Sequence, residues 1–204
     1  MIQAGLTGGI ATGKSTVSEI FRRAGAVIID ADEMTHQSMR NEQPVWREIV
    51  DHFGNKVLGT DGEIDRRILG NIIFNHEKEK NVLNQIVHPR LRQEIDKRLA
   101  SIEKETPTSV VILDTPLLIE VGWHREVQEV ILVYAPRDIQ LQRLMARNGL
   151  SKKEGMARIR SQMPIEEKRC HASIIIDNSG DVEDTRKKTL AVYDFLVKKE
   201  RDDF

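Results

Sequence analysis

A glycine-rich segment near the start of the chain has the residue types and spacing of a phosphate-binding loop. Gly8 and Gly13 lie five residues apart, and Lys14 and Ser15 follow directly. This is the P-loop pattern, in which glycines let successive backbone N–H groups point at phosphate oxygens. Lys14 supplies positive charge to the β- and γ-phosphates, and the Ser15 hydroxyl suits magnesium. The candidate nucleotide-binding residues are Gly8, Gly9, Ile10, Ala11, Thr12, Gly13, Lys14, Ser15 and Thr16.

Acidic side chains follow two other apolar segments, where they can orient a hydroxyl nucleophile and accept its proton. Asp30 and Asp32 follow the second apolar segment, and we expect them at the same carboxyl edge of a parallel sheet as the P-loop. Alternatively, either residue caps a helix that begins at Glu33. Asp114 ends a further apolar run, where it either holds magnesium through water or occupies an ordinary turn.

A P-loop alone does not separate kinases, GTPases and motor ATPases. A GTPase normally reads guanine with an Asn-Lys-x-Asp loop, and the nearest string, Asn55-Lys56-Val57-Leu58, ends in leucine. The sequence therefore favours a kinase over a GTPase.

The segment from Arg137 to Arg169 is basic, with nine basic and four acidic residues, a net charge of +5 in a chain of −1. Arg143 and Arg147 are four residues apart and share a helix face, which can place two guanidinium groups on one phosphate chain. We predict a lid over 140–168 that closes over phosphates and flexes at Gly149 and Gly155. The alternative is a solvated charged face.

Composition excludes several other classes. With 39% hydrophobic and 31% charged residues in 204, the chain is of the globular type and long enough for one domain with an insertion. No apolar run can cross a bilayer, no secretory signal precedes the first strand, and the single cysteine, Cys170, agrees with a cytoplasmic location. We expect no membrane or nucleic-acid partner, because the charge is balanced and the 4% aromatic residues do not interleave with the basic ones. The oligomeric state is left open.

Five β-branched or apolar runs predict the strands that position these residues: 3–7, 26–29, 110–113, 130–133 and 174–176. Their continuous apolar character is typical of a parallel sheet covered on both faces. Helical spacing of Val17, Ile20 and Phe21 predicts a helix after the P-loop. These elements predict an α/β fold with a doubly wound, five-stranded parallel core. We also expect a final helix capped by Asp181.

The stretch 31–106 departs from this alternation and is predicted to be a helical insertion with a turn at 58–62. Proline lacks the N–H that a helix interior requires, so we expect the long helical pattern here to break or kink at His88 and to resume near Pro89. His36, His88 and His171 have no partners at metal-ligand spacing, so no zinc site is expected.

Taken together, the motifs resemble the dephospho-CoA kinase family over nearly the whole chain. The resemblance rests on Leu6-Thr7-Gly8-Gly9-Ile10, Ile29-Asp30-Ala31-Asp32, His88-Pro89, Asp114-Thr115-Pro116-Leu117-Leu118-Ile119-Glu120, the Arg143 to Arg147 helix, and Asp177-Asn178 with Gly180. It implies a P-loop kinase core over 1–30, 107–139 and 169–204, a coenzyme-binding insertion over 31–106, and a lid over 140–168. Two departures are visible: Ala11 stands where the family usually has glycine, and Ser173 where an aspartate is common.

The resemblance implies a kinase that phosphorylates the ribose 3′-hydroxyl of dephospho-CoA with ATP and Mg²⁺, in the last step of coenzyme A synthesis. Its catalytic residues would be Asp32 as base, Lys14, Arg143 and Arg147, with Ser15 on the metal. Its substrate contacts would be Thr7, Asp32, His88, Asp114 and Leu117. We assign no role to Ser173, and an interior loop position such as Ala11 does not by itself require a positive φ. Another small-metabolite kinase and a nucleotide-dependent regulatory switch are the rival hypotheses.

Overall fold

The computed structural model describes residues 1–202, apart from the side chains of residues 74 and 75. This part of the chain divides into two compact units. A core unit comprises Met1–Asp30 and 102–202, and an inserted unit comprises Ala31–Ser101. The segment predicted as a lid belongs to the core unit, and its role as a lid stays a prediction.

The core unit contains a five-stranded parallel sheet, as predicted. Its strands are β1 (Ile2–Gly8), β2 (Val27–Asp30), β3 (Val110–Asp114), β4 (Glu129–Tyr134) and β5 (Ile174–Asp177). The spatial order is β2-β3-β1-β4-β5, and every pair of neighbours is parallel. Strand β1 is therefore central, and all five carboxyl ends lie at one edge of the sheet.

Helices account for most of the remaining described residues. In chain order they are α1 (Lys14–Ala24), α2 (Ala31–Ser38), α3 (Pro44–Phe53), α4 (Arg66–Asn75), α5 (Glu77–Glu105), α6 (Arg137–Asn148), α7 (Lys152–Arg160), α8 (Ile165–Arg169) and α9 (Val182–Asp202). Short 3₁₀ turns form at Asn55–Val57 and Trp123–Arg125. Among residues 1–202, no helix is both long and apolar enough to span a membrane.

Helices α1 and α9 pack against the sheet through apolar side chains that are almost fully buried. Val17 and Phe21 of α1 and Leu196 of α9 join the apolar residues of the strands in one core. The N–H of Asp184 donates to the Asp181 carboxylate at 2.7 Å, so the predicted cap of the last helix is confirmed. Burial of Val17 and Phe21 therefore stabilises the packing of α1, the helix that follows the P-loop, against the sheet.

The inserted unit has an apolar core of its own. It is formed by Val45, Ile49, Phe53, Val57, Ile64, Leu69 and Val87. The predicted turn closes through an antiparallel bridge between Leu58 and Ile64, with Gly62 at φ +78°. Because this cluster contains long-range apolar contacts, the insertion is a packed unit rather than an extended loop.

The predicted break at His88 is wrong. Helix α5 continues from Glu77 to Glu105 with Pro89 inside it. Val87, Leu91 and Ile95 are buried, whereas Pro89 is exposed. Burial of apolar residues before and after the proline outweighs the loss of one backbone hydrogen bond, so the helix does not restart there.

Glu129, the first residue of β4, is buried and forms a polar cluster with Ser173 and Lys199. Glu129 accepts hydrogen bonds from the Ser173 hydroxyl and the Lys199 ammonium group. The same hydroxyl oxygen accepts from the N–H of Val130 at 2.9 Å. Burial would raise the pKa of Glu129, but the bonds from Lys199 and Ser173 outweigh burial and hold that pKa below its usual value. Ser173 thus has a structural role that its sequence position did not indicate.

We predict that Glu129→Gln lowers the free energy of unfolding by about 1–2 kcal/mol at neutral pH, because a half-exposed lysine and a partly buried hydroxyl lose a charged acceptor. A carboxylate with a lowered folded-state pKa contributes stability above its unfolded-state pKa of about 4.3. That contribution disappears as pH falls through the folded-state value. Urea unfolding from pH 7 to pH 3 tests this, with exposed Glu94→Gln as control. A stability difference between parent and variant that persists unchanged at pH 3 would contradict the prediction.

Candidate functional site

The central strand β1 leads directly into the P-loop at the carboxyl edge of the sheet. A Cβ on Gly8 would lie 2.6 Å from the Thr12 hydroxyl oxygen and 3.0 Å from the Val133 carbonyl oxygen. Gly13 has φ +90°, and a Cβ there would lie 2.0 Å from the Asn178 amide nitrogen. Both glycines are therefore required by close packing, and Gly13 also by its left-handed backbone.

The loop presents a set of unused backbone donors. Within residues 1–202, the N–H groups of Ala11, Gly13, Lys14 and Ser15 have no hydrogen-bond acceptor. The N–H of Thr12 is instead held by the Gly9 carbonyl at 3.2 Å. Four free donors at the N-terminus of α1 form a concave site for an anion, strengthened by the helix dipole.

Two side chains from distant parts of the chain hold the loop in this shape. The Asn178 amide donates to the Thr12 carbonyl at 2.7 Å, and its own oxygen accepts from the Thr185 hydroxyl at 2.6 Å. The N–H of Ile10 donates to the Gln162 side chain at 2.8 Å. Neither Asn178 nor Gln162 was among the predicted site residues. Asn178 could have been suspected because its amide follows a strand at the carboxyl edge, but Gln162 carries no local signal.

Ala11 has a left-handed backbone, with φ +60°. The expectation that this loop position does not need a positive φ is therefore wrong. A Cβ costs about 1–2 kcal/mol in this conformation, because it approaches the following carbonyl oxygen. Ala11 thus adopts the conformation that glycine would adopt more easily, and the loop keeps its shape despite this cost.

Lys14 pairs with the Asp114 carboxylate inside the site. The lysine side chain is 19% exposed, and that of Asp114 is 4% exposed. Asp30 lies beside Asp114 in the register of β2 and β3. The carboxyl edge of the sheet therefore places one lysine and two acidic residues next to the anion site. The Ser15 hydroxyl is exposed and has no partner within the described chain.

The loop after β3 contains two of the predicted substrate contacts. Thr7 is fully buried, and its hydroxyl donates to the Pro116 carbonyl at 3.1 Å. Leu117, one residue further on, is 40% exposed. Of these two side chains, only Leu117 is available at the surface, and Thr7 instead holds the loop in place.

Helix α6 carries both predicted lid arginines. Arg143 is half-buried and has no partner within residues 1–202, whereas Arg147 is exposed and bonds to Asn148 at 3.0 Å. Gly149 ends the helix at φ +64°, as a turn requires. Gly155 lies inside α7, where an added Cβ would come within 2.6 Å of Leu141, so its predicted role as a flexing turn residue is wrong.

Two further arginines lie beside the P-loop. A cavity of about 130 Å³ is lined by Gly9 of the loop together with Arg137, Arg160 and neighbouring side chains of α6 to α8. Neither arginine was among the predicted site residues. They belong to the basic segment, but only packing shows which of its arginines lie next to Gly9.

In the inserted unit, Asp32 lies exposed in the first turn of α2, which begins at Ala31 rather than at Glu33. His88 is half-buried on α5, and burial lowers its pKa below the usual value. A cavity of about 560 Å³ in the same unit is lined by basic, polar and apolar residues, among them Arg40, Arg90 and Leu91. Such a surface suits a ligand with both phosphate and uncharged groups.

The sheet order and the P-loop together define the P-loop kinase class. A shikimate kinase from Acinetobacter baumannii shares the fold at a TM-score of 0.54 and 16% identity over 98% of this chain and 94% of that one. A family model identifies the family within this class. The family model described as dephospho-CoA kinase matches residues 2–184, so the chain belongs to the dephospho-CoA kinase family.

Proteins similar to this chain over most of their length include named dephospho-CoA kinases. A dephospho-CoA kinase from Geobacillus kaustophilus is 48% identical over 92% of this chain and 93% of its own. One from Carboxydothermus hydrogenoformans is 45% identical over 92% and 91%, respectively. The crystal structure of TT1252 from Thermus thermophilus gives a TM-score of 0.82 at 36% identity over 96% and 97%. That of dephospho-CoA kinase from Campylobacter jejuni gives 0.62 at 33% over 95% and 96%.

We predict that Ala11→Gly raises the free energy of unfolding by roughly 0.5–1 kcal/mol, because relief of the left-handed strain exceeds the added entropy of the unfolded chain. Thermal and urea unfolding test this. The control is Ala146→Gly in α6, an exposed helical site where glycine should cost about 1 kcal/mol. Equal destabilisation by both substitutions would show that Ala11 is unstrained.

Proposed function

We propose that this protein transfers the γ-phosphoryl group of ATP to the ribose 3′-hydroxyl of dephospho-CoA and releases coenzyme A and ADP. Membership of the dephospho-CoA kinase family supports the choice of acceptor. The observation that carries the chemistry is the nest of four unused N–H donors beside Lys14. A site of this kind binds a polyphosphate through its backbone and stabilises charge during transfer.

On the nucleotide side, the four N–H groups hold the phosphate chain and Lys14 moves from Asp114 to the β- and γ-phosphates. The residues present fit Mg²⁺, because hydroxyl and carboxylate oxygens are the ligands that it prefers. Ser15 would hold it directly and Asp114 through water, once Lys14 has turned away. When bound, the metal neutralises phosphate charge and orients the γ-phosphoryl group.

On the acceptor side, Asp32 orients the ribose 3′-hydroxyl and accepts its proton. The hydroxyl oxygen forms a bond to the γ-phosphorus while the bond from that phosphorus to the β–γ bridging oxygen breaks. Asp30 is the last residue of β2, which pairs with β3, and Asp32 follows two residues later in the first turn of α2. Because its carboxylate is exposed, Asp32 can meet a substrate hydroxyl.

The inserted unit binds the rest of the acceptor in this proposal. Dephospho-CoA combines a diphosphate with a long uncharged arm, and the cavity lined by Arg40, Arg90 and Leu91 offers cationic and apolar surface. Burial lowers the pKa of His88 and so favours its neutral form, which can hydrogen-bond without adding charge. Leu117 adds an apolar contact from the core unit.

The lid part of the proposal rests on Arg143 and Arg147. A half-buried guanidinium without a protein partner is suited to charge-assisted bonds with phosphate. Closure of the basic segment over ATP would also exclude water, which otherwise competes with the ribose hydroxyl for the γ-phosphoryl group.

The direct test mixes purified protein with ATP, Mg²⁺ and dephospho-CoA and follows coenzyme A by mass spectrometry. Lys14→Ala serves as the inactive control, because the lysine is partly exposed at the first residue of α1 and contributes little to packing. Coenzyme A formed by the parent and not by this variant supports the proposal. Formation of ADP without coenzyme A would instead favour hydrolysis or another acceptor.

We predict that Asp32→Asn lowers kcat by roughly 10²-fold or more, because the amide keeps the shape but cannot accept the proton. The dissociation constant of an ATP analogue should be unchanged. Glu33→Gln, also exposed in the first turn of α2, is the matched control and should retain activity. If Asp32→Asn weakens only nucleotide binding, the residue belongs to the nucleotide site.

We predict that Arg143→Lys lowers the transfer rate by roughly 10-fold, because lysine keeps the charge but loses the planar fork that bonds two phosphate oxygens. Arg186→Lys on the exposed face of α9 is the control. Hydrogen exchange over 140–168 should slow when an ATP analogue and dephospho-CoA are both bound. Unchanged exchange together with a silent Arg143→Lys would identify this segment as a solvated basic face.

A further inference from the structure

Lys168, on the short helix α8, is a lysine without any exposed surface. Its ammonium group donates to the Pro116 carbonyl and to both Glu120 oxygens, at 2.8 and 3.0 Å. A lysine is rarely buried completely, because removing its charge from water is costly unless partners compensate. The three acceptors provide that compensation, so the position of Lys168 is defined by the loop that it touches.

The acceptors of Lys168 lie at both ends of one loop, Pro116 to Glu120, directly after β3. The Pro116 carbonyl also accepts the Thr7 hydroxyl from β1, so it is held from two directions. The loop closes on itself through the N–H of Val121, which donates to the Leu117 carbonyl at 3.0 Å. Lys168 thus fixes a loop that starts two residues after Asp114 and presents Leu117 to solvent.

Lys168 and Lys14 repel each other, but their electrostatic environments differ. Burial lowers the pKa of Lys168, while Glu120 opposes this by favouring the ammonium form. Glu120 is 22% exposed and offers its charge only partly to water. Because Lys168 and Glu120 neutralise each other, Lys14 remains the cation that the nucleotide can recruit.

We propose that Lys168 is a positioning residue for the acceptor, acting through the Pro116–Glu120 loop that it holds beside the nucleotide site. The inference rests on the proposed function, in which Leu117 contacts dephospho-CoA and Asp114 lies next to the transferred phosphoryl group. Loss of the ammonium group releases the Pro116 carbonyl and displaces Leu117. The P-loop should be affected much less, since Asn178 holds it from a different element.

Steady-state kinetics and nucleotide binding of Lys168→Met test the proposal. We expect kcat/KM for dephospho-CoA to fall by roughly 10-fold or more, since small displacements of positioning groups have large effects on rate. The Kd of a non-hydrolysable ATP analogue should stay within about twofold of the parent. Lys168→Arg keeps donors for both Pro116 and Glu120 and should recover most of the loss. Lys198→Met, at an exposed site on α9 outside the basic segment, is the matched control.

Three results would overturn the proposal: an unchanged kcat/KM, a parallel loss of ATP-analogue binding, or an arginine variant as impaired as the methionine variant. If Lys168→Met does not fold, Glu120→Gln takes its place. It keeps neutral hydrogen bonding but removes the counter-charge, and parent-like kcat/KM for the acceptor in this variant would equally overturn the proposal.

Failure of the proposed function is recognised separately, because the parent would then form no coenzyme A. In that case hydrogen exchange of the unliganded proteins tests whether Lys168 holds the Pro116–Glu120 loop in place. Lys168→Met should accelerate exchange at Val121 and Gly122 and leave Thr12 and Thr16 of the P-loop region unchanged. Equal protection at Val121 and Gly122 in parent and variant would count against the proposal.

Discussion

The P-loop must leave backbone donors unused for an anion while keeping a fixed shape, and much of the surrounding structure follows from this requirement. A loop cannot fix itself with groups that it must offer to a ligand. Its remaining polar groups are therefore held from outside: the Thr12 carbonyl by Asn178 and the Ile10 N–H by Gln162. Both side chains come from the chain beyond β4, so the shape of the anion site depends on contacts with residues far away in the sequence.

The order of the strands explains which groups share the site. Because β1 lies between β3 and β4, the P-loop has the acidic end of β3 on one side and the basic segment after β4 on the other. Asp114 provides a resting partner for Lys14, and Arg137 lies next to Gly9. In a parallel sheet these groups lie together at the carboxyl edge. The Glu129 cluster lies at the other end of β4, and its polar contacts are structural.

Local pattern was enough to predict the five strands, the P-loop and the helical character of the insertion. It was not enough where packing over long sequence distances decides the outcome. Continuation of α5 through Pro89 depends on the burial of Val87 and Leu91, and the left-handed backbone of Ala11 depends on the closure of the whole loop. Asn178, Gln162 and Lys168 act on residues 48 or more positions away, with no spacing that a single sequence can reveal.

The two lysines of the site show how burial separates structural from chemical charge. Lys14 has one carboxylate partner and remains partly exposed, so it can leave Asp114 for a phosphate when another cation takes its place beside the buried carboxylate. Lys168 is fully buried and bonded to three oxygen atoms, so it could not leave them without breaking all three bonds and losing the Glu120 counter-charge. Both lysines are cations, but they differ in burial and in the number of bonds that hold them. This difference, rather than their charge, determines that Lys14 and not Lys168 can bind the phosphoryl group.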